Sequence, residues 1–134
     1  MDSPVQLGYW EIRGLGERAR LLLEYLGIPY ERVKYTPEIR EKWFNEIKPE
    51  LQKKNSAITL PYLIDGDKVV SESDAVCVYI VHKSGKLELL GRNADEQVAL
   101  ATVAGVTRDL YKDYLHLVYG DYTIDFEECK KQQI

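Results

Sequence analysis

The sequence predicts an α/β fold in which a strand, a helix and a second strand are followed by another helix, a two-stranded hairpin and a further helix. Strand-like runs at residues 5–9 and 30–35 enclose a segment, 16–26, whose apolar residues recur with the period of an α-helix. Asp65-Gly66 forms a strong hairpin-turn signal between two more strand-like runs. A strand–helix–strand order implies a right-handed crossover and parallel pairing of the two strands.

The first helix is predicted from both its apolar face and its end. One face of the segment 16–26 carries apolar residues at the spacing i, i+3, i+4 and i+7, namely Ala19, Leu22, Leu23 and Leu26. Gly27 follows the last of them and Pro29 comes two residues later, which is common helix-ending punctuation. The alternating segment 30–35 then predicts the second strand.

The middle of the chain is less regular. Residues 37–56 are polar and only partly periodic, and they predict a short helix over Glu38–Ile47 with loops on either side. Leu60–Ile64 predicts the third strand, and Lys68–Ser71 predicts a fourth strand antiparallel to it. A helix over Ser71–Lys83 follows, with an apolar face made of Ala75, Val76, Tyr79 and Ile80.

The sequence predicts two domains. The α/β domain is expected to cover residues 1–85 and to be joined by a linker, 86–93, to a short helical domain at 94–134. A long helix is expected over residues 94–119, and a further helix is expected to start within 125–133.

The composition argues against several function classes. Of the 134 residues, 45% are hydrophobic and 30% are charged, and the net charge is -4, as in an ordinary soluble domain. No basic stripe suggests nucleic-acid binding, and no spacing of residues suggests a metal site. The sequence shows neither a signal peptide nor an apolar stretch of membrane-spanning length, which predicts a cytoplasmic protein. Cys77 and Cys129 are too few for a disulfide framework.

The strand end at Tyr9 is the first candidate site. The segment Leu7–Gly14 predicts a buried strand that delivers the Tyr9 hydroxyl into a loop just before a helix. A phenol that donates a hydrogen bond to a thiolate lowers the pKa of the thiol, which is about 8.5 when free. A downward shift of about two units corresponds to roughly 2.7 kcal/mol and makes the thiolate the main species. The alternative is a half-buried strand tyrosine whose hydroxyl faces water.

Two further segments carry features of a peptide-binding site. A cis bond before Pro61 would turn the backbone of Leu60 outward, where it could pair with a peptide-like ligand. The alternative is a trans proline that only starts the strand. Residues 71–75 mark a helix N-terminus, whose free amides bind carboxylates readily. There Ser73 could donate to a carboxylate and Glu72 could accept from an ammonium group. The alternative is plain capping of the helix by Ser71, Ser73 or Asp74.

Four segments, Gly8–Leu15, Arg20–Tyr25, Leu60–Gly66 and Glu72–Ala75, closely resemble cytosolic glutathione transferases, especially those of the mu class, in their order and spacing. The similarity covers about residues 5–119. It implies a thioredoxin-like N-terminal domain that binds glutathione, followed by a helical domain. The helical domain of that family is a larger bundle, whereas this sequence predicts one long helix and the beginning of the next.

The resemblance implies a catalytic role for Tyr9, which matches the tyrosine that stabilises the glutathione thiolate. Trp10 and Leu15 match residues that line the same site. Arg40 and Trp43 lie in a segment similar to the one in which a mu-class tryptophan holds the glycyl carboxylate, and an indole N–H is a suitable donor for that purpose. The alternative for Trp43 is an exposed amphipathic anchor.

Four more residues of the binding site are implied between the helix and the hairpin. Lys48 resembles a neighbouring lysine that binds the same carboxylate, although one residue of spacing differs. Thr59 stands where the mu class usually has asparagine. Leu60 matches the residue whose backbone pairs with the cysteinyl unit, and Pro61 matches the cis-proline of the family.

The γ-glutamyl end of glutathione is assigned by three further matches. Glu72 and Ser73 correspond to the pair that binds it, with Glu72 in the place of a mu-class glutamine. Asp109, on the long helix, resembles the aspartate that reaches the γ-glutamyl amine in the partner subunit, which would require a homodimer. The alternative for Asp109 is a solvated helix charge.

The implied function is a glutathione transferase that conjugates its co-substrate glutathione to small electrophiles. A non-catalytic glutathione transferase-like subunit of a larger assembly is the alternative, because the helical region is short. A thioredoxin-type redox protein is a weaker third reading, since no C-x-x-C motif occurs. The long helix carries apolar residues that are expected to need covering by a homodimer partner or a larger assembly: Val103, Val106, Leu110, Leu117 and Val118.

Overall fold

The structure, a computed structural model, describes residues 4–120. The strands are β1 (Val5–Trp10), β2 (Tyr30–Tyr35), β3 (Tyr62–Asp65) and β4 (Lys68–Ser71). The helices are α1 (Gly16–Leu26), α2 (Arg40–Lys42), α3 (Lys48–Gln52), α4 (Ser73–Ser84) and α5 (Ala94–Tyr119). Short 3₁₀ turns at Pro37–Ile39 and Leu87–Leu90 and a π-helical turn at Trp43–Ile47 complete the regular structure. The chain forms two compact units, of which the first ends at Leu89 and the second begins at Leu90.

The four strands form one mixed sheet in the order β2-β1-β3-β4. β1 and β2 run parallel, with Val5 opposite Tyr30, and α1 makes the crossover between them. β3 runs antiparallel to β1 and to β4, and Asp65 lies opposite Lys68 beside the hairpin turn. This is the strand and helix order that the sequence predicts.

One face of the sheet is covered by α1 and α4. Side chains alternate along a strand, so Val5 and Leu7 of β1 point to the same face. There they meet the inner sides of the two helices in a cluster, here called the aliphatic cluster, that comprises Val5, Leu7, Ala19, Leu23, Leu63, Val76 and Ile80. The helical spacing noted at residues 16–26 therefore predicts the buried side of α1 correctly.

The opposite face of the sheet carries a second cluster, here called the aromatic cluster, of Tyr35, Trp43, Ile58 and Tyr62. Tyr62 lies opposite Gly8 in the β1–β3 pairing. Because Gly8 has no side chain, the Tyr62 ring occupies the space where a β-carbon would stand. Gly8 and Tyr9 are neighbours in β1 but face opposite sides of the sheet. The Tyr62 ring packs over Gly8, and the Tyr9 side chain points toward α1.

Most predicted boundaries agree with the structure to within two residues, but one helix end is wrong. The helix expected to stop at Ile47 continues through the π-helical turn into α3 and ends at Gln52. Pro49 lies in the first turn of α3, directly after the π-helical turn, so the missing amide coincides with the change in the helical hydrogen-bond pattern. The helix expected within 125–133 lies outside the described residues.

α5 has a well-defined start and no buried residue. The Asn93 side chain accepts a hydrogen bond from the Glu96 amide at 3.0 Å, and Glu96 in turn pairs with Arg92. Among the apolar residues expected to need covering, Val103, Val106, Leu110 and Leu117 are exposed and Val118 is half-buried. None of the helices within residues 4–120 has the length and apolar character required to cross a membrane.

Candidate functional site

Tyr9 stands at the end of β1 beneath the loop that leads into α1. Its side chain is 8% exposed, and its hydroxyl oxygen accepts a hydrogen bond from the Leu15 amide at 3.0 Å. A β-carbon added at Gly14 would lie 2.6 Å from that oxygen, and one added at Gly16 would lie 2.5 Å from the ring. Gly14 also has a positive φ of 40°. The two glycines therefore let the loop close over the Tyr9 ring, which fixes the hydroxyl at the strand end.

Arg20 fixes this loop from within the first unit. It is buried, and its guanidinium donates to the carbonyl oxygens of Ile12 at 2.7 Å and Arg13 at 2.9 Å. The same group donates to the Glu17 carboxylate at 2.6 Å. Arg20 was not predicted as a site residue, although an arginine beside Ala19 on the apolar side of a predicted helix was a usable signal. A buried arginine needs several acceptors, and a loop turning back over the helix supplies them.

The segment before β3 presents an unpaired backbone. The Leu60–Pro61 peptide bond is cis, as the resemblance implied, so the trans alternative is wrong. Nothing among residues 4–120 forms a hydrogen bond with the backbone N–H or C=O of Leu60. Thr59 is tied to the end of β4, since its amide donates to Ser71 Oγ at 2.8 Å and its carbonyl accepts from the same hydroxyl at 3.2 Å. The loop is thus held on both sides of Leu60.

Glu72, at the start of α4, has an unusual backbone conformation, with φ 71° and ψ 128°. A non-glycine residue in this region is strained, and such strain is concentrated at functional sites. The first intrahelical bond runs from the Val76 amide to the Glu72 carbonyl at 2.9 Å, so the preceding amides lack intrahelical acceptors. The side chain of Glu72, the N-cap residue of α4, makes no capping hydrogen bond.

Ser73 also lies at this helix start and is held by Arg18, which was not predicted as a site residue. Arg18 of α1 donates to Ser73 Oγ at 2.9 Å and to the Asp74 carboxylate at 2.6 Å. The Ser73 oxygen therefore accepts from a cation, and its own proton can be donated to an anion. Both the positive end of the helix and the guanidinium favour negative charge here.

Trp43 is only 2% exposed and belongs to the aromatic cluster. Its ring stacks on Tyr62, with centroids 5.7 Å apart and planes 11° from parallel, so the alternative of an exposed anchor is wrong. Arg40 and Lys48 both lie over the ring of the exposed Phe44, at 5.5 and 5.9 Å from its centroid. Arg40 and Lys48, two cations of the predicted site, therefore lie over the same exposed Phe44 ring. Each is one helical turn from Phe44 in the sequence, on opposite sides.

Trp10 connects the strand end to the aromatic cluster. It is half-buried against the cluster and meets Tyr35 edge to face at 6.2 Å. An open cleft of about 650 Å³ adjoins it, with Ile12, Thr36 and Arg40 among the lining residues. Leu15, whose amide binds Tyr9, is exposed.

Asp109 belongs to α5 in the second unit. Its carboxylate lies 3.9 Å from the Lys112 ammonium, and both side chains are largely exposed. Cys77 is half-buried in α4, and burial raises the pKa of its thiol, which keeps it protonated and unreactive. In the described part of the chain, no three His, Cys, Asp or Glu side chains come together as a possible metal site.

The comparisons with known proteins agree with this fold. Residues 5–82 match the family model for the N-terminal domain of glutathione S-transferase. The chain therefore belongs to the glutathione S-transferase family, and its thioredoxin-like N-terminal fold is confirmed.

Individual relatives are of the mu class, as the sequence motifs predicted. The chain is 38% identical over 130 residues to a class-mu 26 kDa isozyme of glutathione S-transferase from Fasciola hepatica, covering 95% of this chain and 54% of that protein. It is 36% identical over 137 residues to human Glutathione S-transferase Mu 1, covering 98% and 58%. The crystal structure of the glutathione S-transferase from Ascaris lumbricoides superposes with a TM-score of 0.69 at 26% identity, covering 97% and 60%. The chain thus spans little more than half the length of these relatives.

Proposed function

We propose that this chain binds glutathione, stabilises its thiolate through Tyr9 and conjugates the sulfur to small electrophiles. The observation that carries the proposal is the hydrogen bond from the Leu15 amide to the Tyr9 hydroxyl oxygen at 3.0 Å. With that lone pair occupied, and with no acceptor for the hydroxyl proton among residues 4–120, the proton is available to a ligand. A thiolate placed there gains a charge-assisted hydrogen bond, which lowers the pKa of the bound thiol.

The remaining parts of glutathione are accounted for by the surrounding groups. The unpaired backbone of Leu60 suits the cysteinyl unit, which would add to the sheet edge like a short strand. The start of α4 suits the γ-glutamyl carboxylate, with Ser73 as donor and Glu72 as acceptor for the ammonium group. We assign the glycyl carboxylate to Trp43 with Arg40 and Lys48, and we place Trp10, Leu15, Thr59 and Pro61 along the walls of the same site.

The reaction proposed is a nucleophilic attack by the glutathione thiolate. The sulfur forms a bond to an electrophilic carbon, and a leaving group departs from that carbon with its bonding electrons. No proton needs to be removed in that step, because the thiol has already ionised. The protein contributes by holding the sulfur in place and by stabilising its charge before the attack. The open cleft beside Trp10 is large enough for a small aromatic electrophile.

The substitution Tyr9→Phe tests this proposal, with Tyr25→Phe as the matched control because Tyr25 is exposed on α1. We expect glutathione affinity, measured by calorimetry, to stay within about three-fold. Turnover of a chromogenic aryl halide at neutral pH should fall about ten- to a hundred-fold, since one or two pKa units of thiolate stabilisation are lost. Tyr25→Phe should match the unmodified chain in both measurements.

Two results would overturn the proposal. Equal turnover by Tyr9→Phe and the unmodified chain would remove Tyr9 from the chemistry. A chain that takes up no glutathione at millimolar concentration would have no such site at all. A measured rise in the pKa of the bound thiol, from its ultraviolet absorbance, should accompany the loss of turnover in Tyr9→Phe.

A non-catalytic interaction subunit is the second candidate, and one observation favours it. Most apolar residues of α5 are exposed, with Leu110 at 68% and Val106 at 67%. Such a surface suits a protein partner. A chain that binds glutathione but turns over no electrophile, and that purifies only with a protein partner, would support this function over the enzymatic one.

We further propose a homodimer in which Asp109 of one subunit reaches the γ-glutamyl amine bound to the other. Asp109 is exposed, and its only ion pair in the described chain, with Lys112, is long at 3.9 Å, so its carboxylate is available to another cation. Sedimentation analysis with and without the substitution Asp109→Asn, together with glutathione affinity, tests both parts. A monomer whose affinity does not change in Asp109→Asn would contradict them.

A further inference from the structure

The aromatic cluster joins three residues of the proposed glutathione site that are far apart in the sequence. Trp10 ends β1, Trp43 lies in the π-helical turn and Leu60 precedes β3. Trp43 is a member of the cluster, and both Trp10 and Leu60 pack against it. Movement of the cluster would therefore change the relative positions of groups assigned to different parts of one ligand.

Tyr62 lies at the centre of this arrangement. Its ring stacks on the Trp43 indole, and its hydroxyl shares a hydrogen bond with the Tyr35 hydroxyl at 2.8 Å. The same ring fills the space over Gly8, the residue next to Tyr9, and Tyr62 itself directly follows the Leu60–Pro61 bond. The Tyr62 ring is thus held on one side by Gly8 and at its tip by Tyr35.

Burial makes the hydroxyl pair important for the orientation of the ring. Tyr62 and Tyr35 are each only 2% exposed, and burial raises the pKa of both phenols, which keeps them protonated. Each hydroxyl needs a partner in this apolar surrounding, and each supplies one for the other. Removal of either hydroxyl leaves the remaining one unsatisfied, so the ring at Tyr62 loses its fixed orientation.

We propose that Tyr62 is a positioning residue for glutathione, which holds the Trp43 indole in place for the glycyl carboxylate of the ligand. This inference rests on the proposed function, because it assigns Trp43 to that carboxylate. Tyr62 acts through Trp43 and touches no reacting atom. The glycyl end of the ligand should therefore depend on Tyr62, and the thiolate chemistry at Tyr9 should not.

A comparison of two ligands separates this role from a general structural one. Glutathione carries the glycyl carboxylate, whereas γ-glutamylcysteine lacks the glycine but keeps the thiol and the γ-glutamyl end. The substitution Tyr62→Phe keeps an aromatic ring at this position and removes only the hydroxyl. Tyr79→Phe is the matched control, because it removes the 2.8 Å hydrogen bond from the Tyr79 hydroxyl to Asp65, away from the aromatic cluster.

In Tyr62→Phe we expect the Kd for glutathione, measured by calorimetry, to rise about five-fold, the effect of roughly one hydrogen bond. The Kd for γ-glutamylcysteine should change less than two-fold, and kcat for glutathione conjugation should stay within two-fold. Tyr35→Phe removes the other hydroxyl of the pair and should cause the same changes in the two Kd values and in kcat. Tyr79→Phe should leave both Kd values unchanged.

The outcomes are distinct. An equal rise in Kd for both ligands, or no rise for either, would overturn the positioning role while leaving the proposed function intact. If Tyr62→Phe does not fold, Tyr35→Phe tests the positioning role instead. The quantity compared is again the change in Kd for glutathione relative to the change in Kd for γ-glutamylcysteine. If the unmodified chain binds neither ligand, the proposed function fails first and this inference fails with it.

Discussion

α1 and α5 are both regular helices, but the tertiary structure uses them differently. α1 has 11 residues, four of which are buried: Gly16, Ala19, Arg20 and Leu23. α5 has 26 residues and none of them is buried. The shorter helix is therefore part of a packed core, whereas the longer one depends on its own hydrogen bonds and on the Asn93 cap. Helix length and amphipathic pattern do not by themselves indicate how much a helix contributes to the stability of a fold.

The largest difference in the free energy of unfolding is expected when one leucine in each helix is replaced by alanine. Leu23 is fully buried, so Leu23→Ala should lower the free energy of unfolding by about 2–5 kcal/mol, through lost burial and a cavity in the aliphatic cluster. Leu110→Ala, at a position of α5 that is exposed within a single chain, should change the unfolding free energy of the monomer by less than about 0.5 kcal/mol. Urea denaturation of the two variants measures the difference. A large loss in Leu110→Ala would mean that a second copy or another partner covers α5, and the contrast between the helices would disappear.

The next effect tests the polar side of α1. Arg20→Met removes the hydrogen bonds to the carbonyl oxygens of Ile12 and Arg13, and we expect a loss of about 2 kcal/mol in unfolding free energy. Turnover of a chromogenic aryl halide should fall as well, because the loop that holds Tyr9 is released. Arg32→Met, at an exposed position of β2, is the control for the lost charge. Unchanged turnover in Arg20→Met would show that the loop is held without this arginine.

A smaller effect concerns acid stability of the first unit. A hydrogen bond from Lys83 lowers the pKa of Asp65, with a further contribution from the Tyr79 hydroxyl. A carboxyl whose folded-state pKa is depressed adds stability above its unfolded pKa of about 3.9, and this stability is lost as the pH falls through the folded value. Asp65→Asn should therefore be less stable than the unmodified chain by about 1 kcal/mol at pH 7 and about equal to it near pH 2.

Thermal denaturation from pH 7 down to pH 2 checks this expectation. Asp67→Asn provides the control two residues away, since its side chain is fully exposed and its ion pair with Lys54 is solvated. A difference between Asp65→Asn and the unmodified chain that persists at pH 2 would contradict the assignment to ionisation.

The smallest change in stability is expected in α5, and it is a gain where the preceding substitutions cause losses. Within residues 4–120, a β-carbon added at Gly105 would meet no atom within 4 Å beyond the neighbouring backbone of its own helix. Gly105→Ala should therefore stabilise α5 by about 0.5–1 kcal/mol through helix propensity alone. Far-ultraviolet circular dichroism should show increased helicity, and the denaturation midpoint of the aliphatic cluster should not move. A loss of helicity would indicate that something packs closely against Gly105.

Much of the candidate site could be predicted from the sequence because its residues lie in short, local patterns. The strand that ends at Tyr9, the strand start at Leu60 and the start of α4 are each indicated by neighbouring residues. Arg20 and Tyr62 could not be assigned in this way. Their partners lie on other segments, so their roles depend on how the segments meet.

The sequence by itself determined the order of strands and helices and the buried side of α1, because hydrophobic periodicity and turn residues act over a few neighbouring positions. Only the tertiary structure decided that Tyr62 covers Gly8 and meets Tyr35, a residue 27 positions away, and that Arg20 holds the loop above Tyr9. Such contacts depend on the register of the sheet and on the space left by a missing side chain. Both arise only when distant segments pack together.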